Sequence, residues 1–325
     1  MPSPKLQILG RFLSVFGSSP LRTSKYLTTA LFHQITTIVE QPEQIRSLTD
    51  SQRAQAWEKT VNGIVSHNKP LQVSPHDLPS PLIVSLTSYR RRFSRLHLTL
   101  RCLLAQTMRP DRLLLWVSHE DNNHLTPEIL ELREAGLEIC ASEDMGPFTK
   151  IIPTMQAHPG HFVVTADDDL YYWPTWLEEL VTAWSGRTSD IVAHRVHRIR
   201  LDQQGLPLPY HQWSLDDPAT TESSTLNFAT GVGGVFYPPG TLHPDVTNVE
   251  AFRRLCGKAD DVWLYWMARM NGSIARRTKS NRRVLLWPDT QGTALFKNNV
   301  AQGNDEFIKA MIAEYGFPAT QVGDG

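Results

Sequence analysis

Cysteine is scarce: Cys102, Cys140 and Cys256 are the only three in 325 residues, and they stand apart in apolar surroundings without a Cys-x-x-Cys pair. A disulfide framework and a thiolate metal site are thereby excluded, and the three read as core fillers in a reducing compartment. Long apolar runs are also missing, since none approaches the ~20 residues that cross a bilayer, and no apolar segment with a small-residue cleavage site opens the chain. The expected location is therefore cytoplasmic. Nor is there an excess of either charge. Lys and Arg number 32 against 33 Asp and Glu, so no nucleic-acid partner is expected and anion recognition must come from local clusters. What remains, 41% hydrophobic and 20% charged, is the balance of a soluble globular protein with one sizeable core.

Acidic residues are absent from positions 1–39, which hold Lys5, Arg11, Arg22 and Lys25. There Leu6, Leu9, Leu13 and Phe16 fall near helical spacing with Arg11 off the stripe, a pattern that fits a basic amphipathic helix in peripheral contact with an anionic membrane. A helix packed on the main domain, or an acid-poor transit peptide, fits the same residues. Positions 40–80 are polar and end in Pro70, Pro75, Pro79 and Pro81, as a linker would. The expected division is an N-terminal helical extension and linker over 1–80, a main domain over 81–295 and a C-terminal helical segment over 296–325.

From Pro81 strands and helices alternate. Apolar runs at 82–86, 113–117 and 137–141 are separated by helical patterns at 93–104 and 127–135, and a helix near 149–157 precedes a fourth strand at 161–166. This spacing predicts an α/β fold with a mostly parallel, Rossmann-like sheet flanked by helices. Further on, a helix is expected from Pro174 to Trp184, strands at 190–193, 230–237 and 284–287, a helix opened by Asp260 and Asp261, and a terminal helix near 305–315. Positions 200–228 show little periodicity and read as a long functional loop. The tryptophan and methionine stripe Trp263, Trp266, Met267, Met270 reads as core. Trp173 and Trp176 suit either core or an apolar platform under a sugar ring.

The fourth strand runs straight into Asp167, Asp168 and Asp169, placing carboxylates at the sheet edge where open α/β folds bind ligands. Side chains two apart in an extended chain share a face, so Asp167 and Asp169 are expected to look into one site and Asp168 away from it. Such a pair suits Mg2+ or Mn2+, which take oxygen ligands and complete their shells with water and phosphate. Three basic clusters, Arg90-Arg91-Arg92 with Arg95, His194 to Arg200, and Arg276 to Arg283, read individually as solvated faces.

The segment Thr165-Ala166-Asp167-Asp168-Asp169-Leu170-Tyr171 resembles the Asp-x-Asp motif of nucleotide-sugar-dependent glycosyltransferases of the GT-A fold. Asp260-Asp261-Val262-Trp263-Leu264, followed by Arg269 and Gly272, is similar to the acidic-pair signature of the family-two inverting members, where Glu-Asp is usual. The likeness covers residues 82–290. It implies a nucleotide-sugar donor that also meets Asp168, a glycan or glycolipid acceptor, and a divalent cation held by Asp169, with Asp167 either assisting the cation or approaching the ribose. Asp261, paired with Asp260, would be the catalytic base, although a capping role at the helix start explains either acid as well. The donor would further meet Thr87, Tyr89 and Arg91 after the first strand, Asp121 after the second, Lys150, and the glycines Gly231, Gly233 and Gly234. No histidine lies beyond His243, so the late histidine that completes the metal shell in some relatives is missing.

Two other classes use similar acids. A nucleotidyltransferase needs glycines beside its basic loop, which Arg90-Arg91-Arg92 lacks, and an aspartyl phosphatase needs threonine where Tyr171 stands. A non-catalytic glycan-binding protein is the third possibility, and two separated acidic sites weigh against it.

Overall fold

Pro81 releases the chain into β1 (Leu82–Thr87), five of whose six residues are buried. Residues 73–280, 282, 285–287 and 304–318 are described by this computed structural model. The basic amphipathic stretch and most of the proline-rich linker lie outside them. Next come α1 (Phe93–Leu104), which buries Phe93, Leu96, Leu100 and Leu103 of the apolar stripe and leaves its last member, Leu104, half-buried, then β2 (Arg112–Ser118), the single turn α2 (Pro127–Leu130) and β3 (Leu137–Ser142). α3 (Ile152–Ala157) starts later than its pattern predicts, because residues 146–150 form a tighter 3-10 turn and Pro153 fits only a first helical turn. β4 (Phe162–Ala166) is fully buried, followed by β5 (Leu170–Tyr171), α4 (Trp176–Ala183) and β6 (Asp190–Ala193).

The second half departs more from its pattern. The loop at 200–228 is bracketed by a small antiparallel pair, β7 (Val196–Arg198) with β8 (Asn227–Ala229). The strand expected at 230–237 is only β9 (Val235–Tyr237), since residues 231–234 turn, with Gly234 N–H donating to Gly231 O at 2.9 Å. There follow α5 (Val249–Leu255), α6 (Asp260–Met270), β10 (Ile274–Arg277), β11 (Leu285–Leu286) against β5, and α7 (Asn304–Tyr315).

Seven strands among the described residues form one sheet in the order β10-β6-β9-β4-β1-β2-β3. Neighbours run parallel except at β9, which opposes both β4 and β6. Fully covered strands explain the unbroken apolar runs. Register decides what meets at the carboxyl edge: Leu86 pairs with Ala166, Thr87 with Trp116, Thr165 with Val235 and Ala193 with Val235. Ser88, Asp167 and the glycine turn before β9 are therefore brought to the same edge. α6 is apolar almost all round and seats Trp263, Trp266 and Met267 in the core with Phe252 of α5 and Ile308 and Met311 of α7. Met270 packs at its margin.

Candidate active site

The three aspartates follow the last strand residue, in the turn between β4 and β5. Outside the strand the two-residue alternation no longer holds, and this corrects the expected pairing. Asp168 and Asp169 share one guanidinium, with Arg92 Nη1 at 2.6 Å from Asp168 and 2.7 Å from Asp169. Ser88 Oγ donates to the other Asp168 oxygen at 2.6 Å. Burial pushes the Asp168 carboxyl up to about 6 against the pull of Arg92, with Asp169 adding to the rise, and burial likewise raises Asp169.

Asp167 turns instead to Lys150, whose Nζ lies 3.0 Å from Asp167 Oδ1 and 3.0 Å from Asp260 Oδ2. The lysine is carried by the 3-10 turn ahead of α3, and Thr154 fixes that helix by pairing with Ser85 Oγ on β1 at 2.8 Å and accepting from Trp116 Nε1 on β2 at 2.7 Å. Burial alone would discharge the ammonium, but Asp167, Asp260 and Asp261 outweigh it and keep it charged. The Asp167 backbone N–H donates to the Tyr172 hydroxyl at 2.7 Å, which sets the turn.

The N-cap of α6 is Ala259, so the two acids open the helix as its first residues. Asp260 is buried on Lys150, whereas Asp261 stays partly open to solvent and accepts from the Gly231 N–H at 2.7 Å. Dense surroundings and the neighbouring Asp260 charge push the Asp261 carboxyl up to about 7, while Lys150 and the Gly231 N–H pull it back. The helix end, which taken alone would lower it, is outweighed. Gly231 is required here: a Cβ on it would stand 2.8 Å from Lys150 Nζ and 3.3 Å from Asp261 Oδ1.

Gly233 and Gly234 face the other way. Trp176 Nε1 donates to Gly233 O at 2.6 Å, and a Cβ on Gly234, at φ +97°, would lie 2.6 Å from the Trp176 ring and 3.1 Å from Thr165 O. Trp173 and Trp176 are core residues, so the platform reading gives way to packing that supports the turn. Gly234→Ala should cost roughly 1–3 kcal/mol in backbone strain and a similar amount in overpacking. A melting temperature equal to wild type would show that Trp176 does not back this turn.

The first loop is split. Thr87 Oγ1 donates to Trp116 O at 3.0 Å, a bond within the sheet edge, and Tyr89 is 39% exposed. Arg91 is exposed as well, and the 3-10 turn at Arg90–Arg92 rotates Arg92 inward in its place. Asp121 accepts from the Arg90 N–H at 3.1 Å, closing the loop from the side of β2. The structure thus brings Lys150, Asp167, Asp260 and Asp261 together, joins Asp168 and Asp169 to them through the turn, and leaves Tyr89, Arg91 and Asp121 at the rim. Arg92 and Ser88 are the contacts that motif reading does not single out. Only the position of Arg92 directly before the apolar stripe of α1 hints that its side chain folds inward.

Five carboxylates stand here against two cations, Arg92 and Lys150, among the described residues. The excess of negative charge, the raised Asp168, Asp169 and Asp261, and a donor set of oxygens alone fit a hard divalent cation. No three His, Cys, Asp or Glu side chains among the described residues converge as a ready cage.

No family model matches the chain, and no curated protein does either. Among solved structures it is similar to a mannosyltransferase from Pyrobaculum calidifontis in complex with GDP-Man and Mn2+, with 14% identity over 82% of this chain and 76% of that one and a TM-score of 0.45. It is also similar to S. aureus TarS 1-349 in complex with UDP, with 16% identity over 63% of this chain and 59% of that one and a TM-score of 0.42. A second structure of S. aureus TarS 1-349 gives 14% identity, 72% of each chain and a TM-score of 0.42. Likenesses this distant leave the chemistry to be read from the side chains.

Proposed function

We propose that the chain is a metal-assisted glycosyltransferase that moves a sugar from a nucleoside diphosphate to a hydroxyl of a glycan or glycolipid, with inversion. The observation that carries this reading is the meeting of Asp167 from the β4 edge and Asp260 from α6 on one buried ammonium, 3.0 Å from each, with Asp261 beside them. Asp169, helped by Asp167, would hold the cation. When bound, the cation supplies Lewis-acid stabilisation of the charge on the departing diphosphate.

The chain's own groups account for the rest. Tyr89 offers an exposed ring on which a base can stack, and the loop from Thr87 to Arg91, closed by Asp121, forms the donor rim. Arg92 and Ser88 orient Asp168 for the ribose. Lys150 serves as an internal counter-ion that positions the acids, rather than as a phosphate ligand. Asp261, partly open to solvent and held by the Gly231 N–H, accepts the proton of the acceptor hydroxyl as its oxygen bonds to the anomeric carbon. The bond to the diphosphate breaks on the opposite face, and its electron pair leaves with the phosphate. The described residues contain no helix long and apolar enough to cross a membrane. In this reading the acceptor is brought to the protein as a surface-glycan precursor, and the basic N-terminal stretch supplies a peripheral membrane contact.

A thermal-shift screen of nucleotide sugars with and without Mn2+ tests the reading. A donor at a hundred times its Kd stabilises the native state by about 2.7 kcal/mol, or roughly 5–10 °C for a domain of this size. The gain should be larger with Mn2+ present. If no nucleotide sugar moves the melting temperature under either condition, the proposal fails.

A further inference from the structure

We infer that Thr99 of α1 is a positioning residue of the acidic turn, and that its hydroxyl, locked by Trp287, holds Asp169 in the pose that takes the cation. The inference rests on the glycosyltransferase reading above and adds to it the groups that fix the cation's ligand. Thr99 is fully buried, and the other buried residues of that helix are apolar. Its Oγ1 donates to Leu170 O at 2.9 Å and to Asp168 O at 3.1 Å, and accepts from Trp287 Nε1 at 2.7 Å. The two carbonyls stand one residue either side of Asp169. The carbonyl between them, Asp169 O, accepts from the Trp287 backbone N–H at 2.9 Å. Three successive carbonyls of the turn are therefore held by two residues, one from α1 and one directly after β11.

The spacing along α1 makes the hold double. Arg92, directly before the helix, grips the Asp168 and Asp169 carboxylates at 2.6 and 2.7 Å, and Thr99 follows it by two helical turns, so both reach the acidic turn from one face. The start of the helix holds the side chains, and its second turn holds the main chain. Packing alone does not call for this arrangement. Valine fills the volume of threonine, but an apolar contact fixes no direction, whereas a fully satisfied set of buried hydrogen bonds does. Repulsion within the turn explains the requirement, since Asp168 and Asp169 meet on a single guanidinium nitrogen and their charges oppose each other. A backbone free to rotate would let them separate. With its carbonyls pinned, it keeps the Asp169 carboxylate, 11% of whose side-chain surface is exposed, where a cation can share it with Arg92. Outer contacts of this kind orient metal ligands and set their affinity. Leu285 and Leu286 extend the hold by pairing with Tyr171 and Leu170.

The test uses the full-length wild type with Thr99→Val, which keeps the shape and loses the hydroxyl, Thr99→Ser, which keeps the hydroxyl, and Trp287→Phe, which keeps a ring and loses the indole N–H. Mn2+ is titrated into each protein with UDP or GDP present, and bound ion is read, without turnover, from the loss of the free Mn2+ electron paramagnetic resonance signal. The expected midpoint is about 10-fold higher in Thr99→Val, the lower end of the effect of losing an outer contact to a metal ligand. It should be intermediate in Trp287→Phe and equal to wild type in Thr99→Ser. A lower melting temperature follows the loss of buried hydrogen bonds whatever their purpose. A merely structural role leaves the Mn2+ midpoint of the folded Thr99→Val variant at the wild-type value, and that outcome overturns the assignment. So does a Thr99→Ser midpoint as high as that of Thr99→Val. If Thr99→Val does not fold, Trp287→Phe decides, a midpoint above wild type supporting the assignment and an equal one overturning it. A wild type that takes up no Mn2+ with either nucleotide defeats the metal-assisted reading itself, and does so before any variant is compared.

Discussion

Asp261→Asn is expected to lower kcat for transfer by about 10²- to 10⁴-fold, the range of a positioned general base, while the thermal shift produced by the donor stays within the error of wild type. The amide is isosteric and its oxygen can still accept from the Gly231 N–H, so the variant loses the proton acceptor and keeps the geometry. Stability should move the other way. Because burial and Asp260 push the Asp261 carboxyl up to about 7, above its unfolded value, its contribution to stability is present at low pH and is lost as pH rises towards 7. Removing the ionisable group should therefore raise the melting temperature by several degrees at pH 8, with about 2–4 °C for each kcal/mol in a domain of this size, and by much less at pH 5. For the wild type, kcat/KM should climb with pH to about 7 and then level off, as the base becomes ionised. Turnover of the Asn variant at the wild-type rate would remove Asp261 from the mechanism.

Lys150→Met should be the most damaging single change. It leaves Asp167 and Asp260 each without the ammonium that stands 3.0 Å away, and uncompensated buried charge costs about 3–5 kcal/mol. A fall in melting temperature of roughly 10 °C follows, along with loss of transfer as the acids repel one another out of position. The sign of the pH dependence identifies the cause. Lys150 pulls the raised Asp261 carboxyl back down, so without the lysine it rises further, and the deficit relative to wild type should be larger near pH 8 than near pH 5. A Met variant that melts and turns over as wild type does would show that the three acids need no internal cation.

How far this arrangement can be read from the sequence depends on the range over which each feature is determined. β1, β2 and β4 are unbroken apolar runs because both faces of the sheet are covered, and that is a local signal. The triplet at the β4 edge and the acids opening α6 are local in the same sense, as sequence neighbours of those elements. The strand predicted over 230–237 fails at Gly233 and Gly234, whose positive φ values of 89° and 97° make a turn that hydrophobicity does not reveal. The direction of β9 is set by sheet neighbours far away in the chain. Choosing Arg92 over Arg91 requires the phase of a single 3-10 turn, and the grouping of Asp168 with Asp169 requires knowing that the strand has already ended at Ala166. Lys150 stands out in the sequence as a basic residue near the site, but its three acidic partners come together only through the sheet order and the docking of α6. The long loop gives no periodic signal at Tyr210 because its conformation is imposed by Asp305, which follows it by nearly a hundred positions.

The surplus of carboxylates over cations at the β4 edge bears on how a catalytic cycle would end. In the proposed reading, the spent nucleoside diphosphate would face acids that Arg92 and Lys150 do not neutralise in full, and a cation held by Asp169 and Asp167 would supply the charge that offsets them. Product residence would then depend on the free divalent metal in the surrounding medium as well as on the supply of donor.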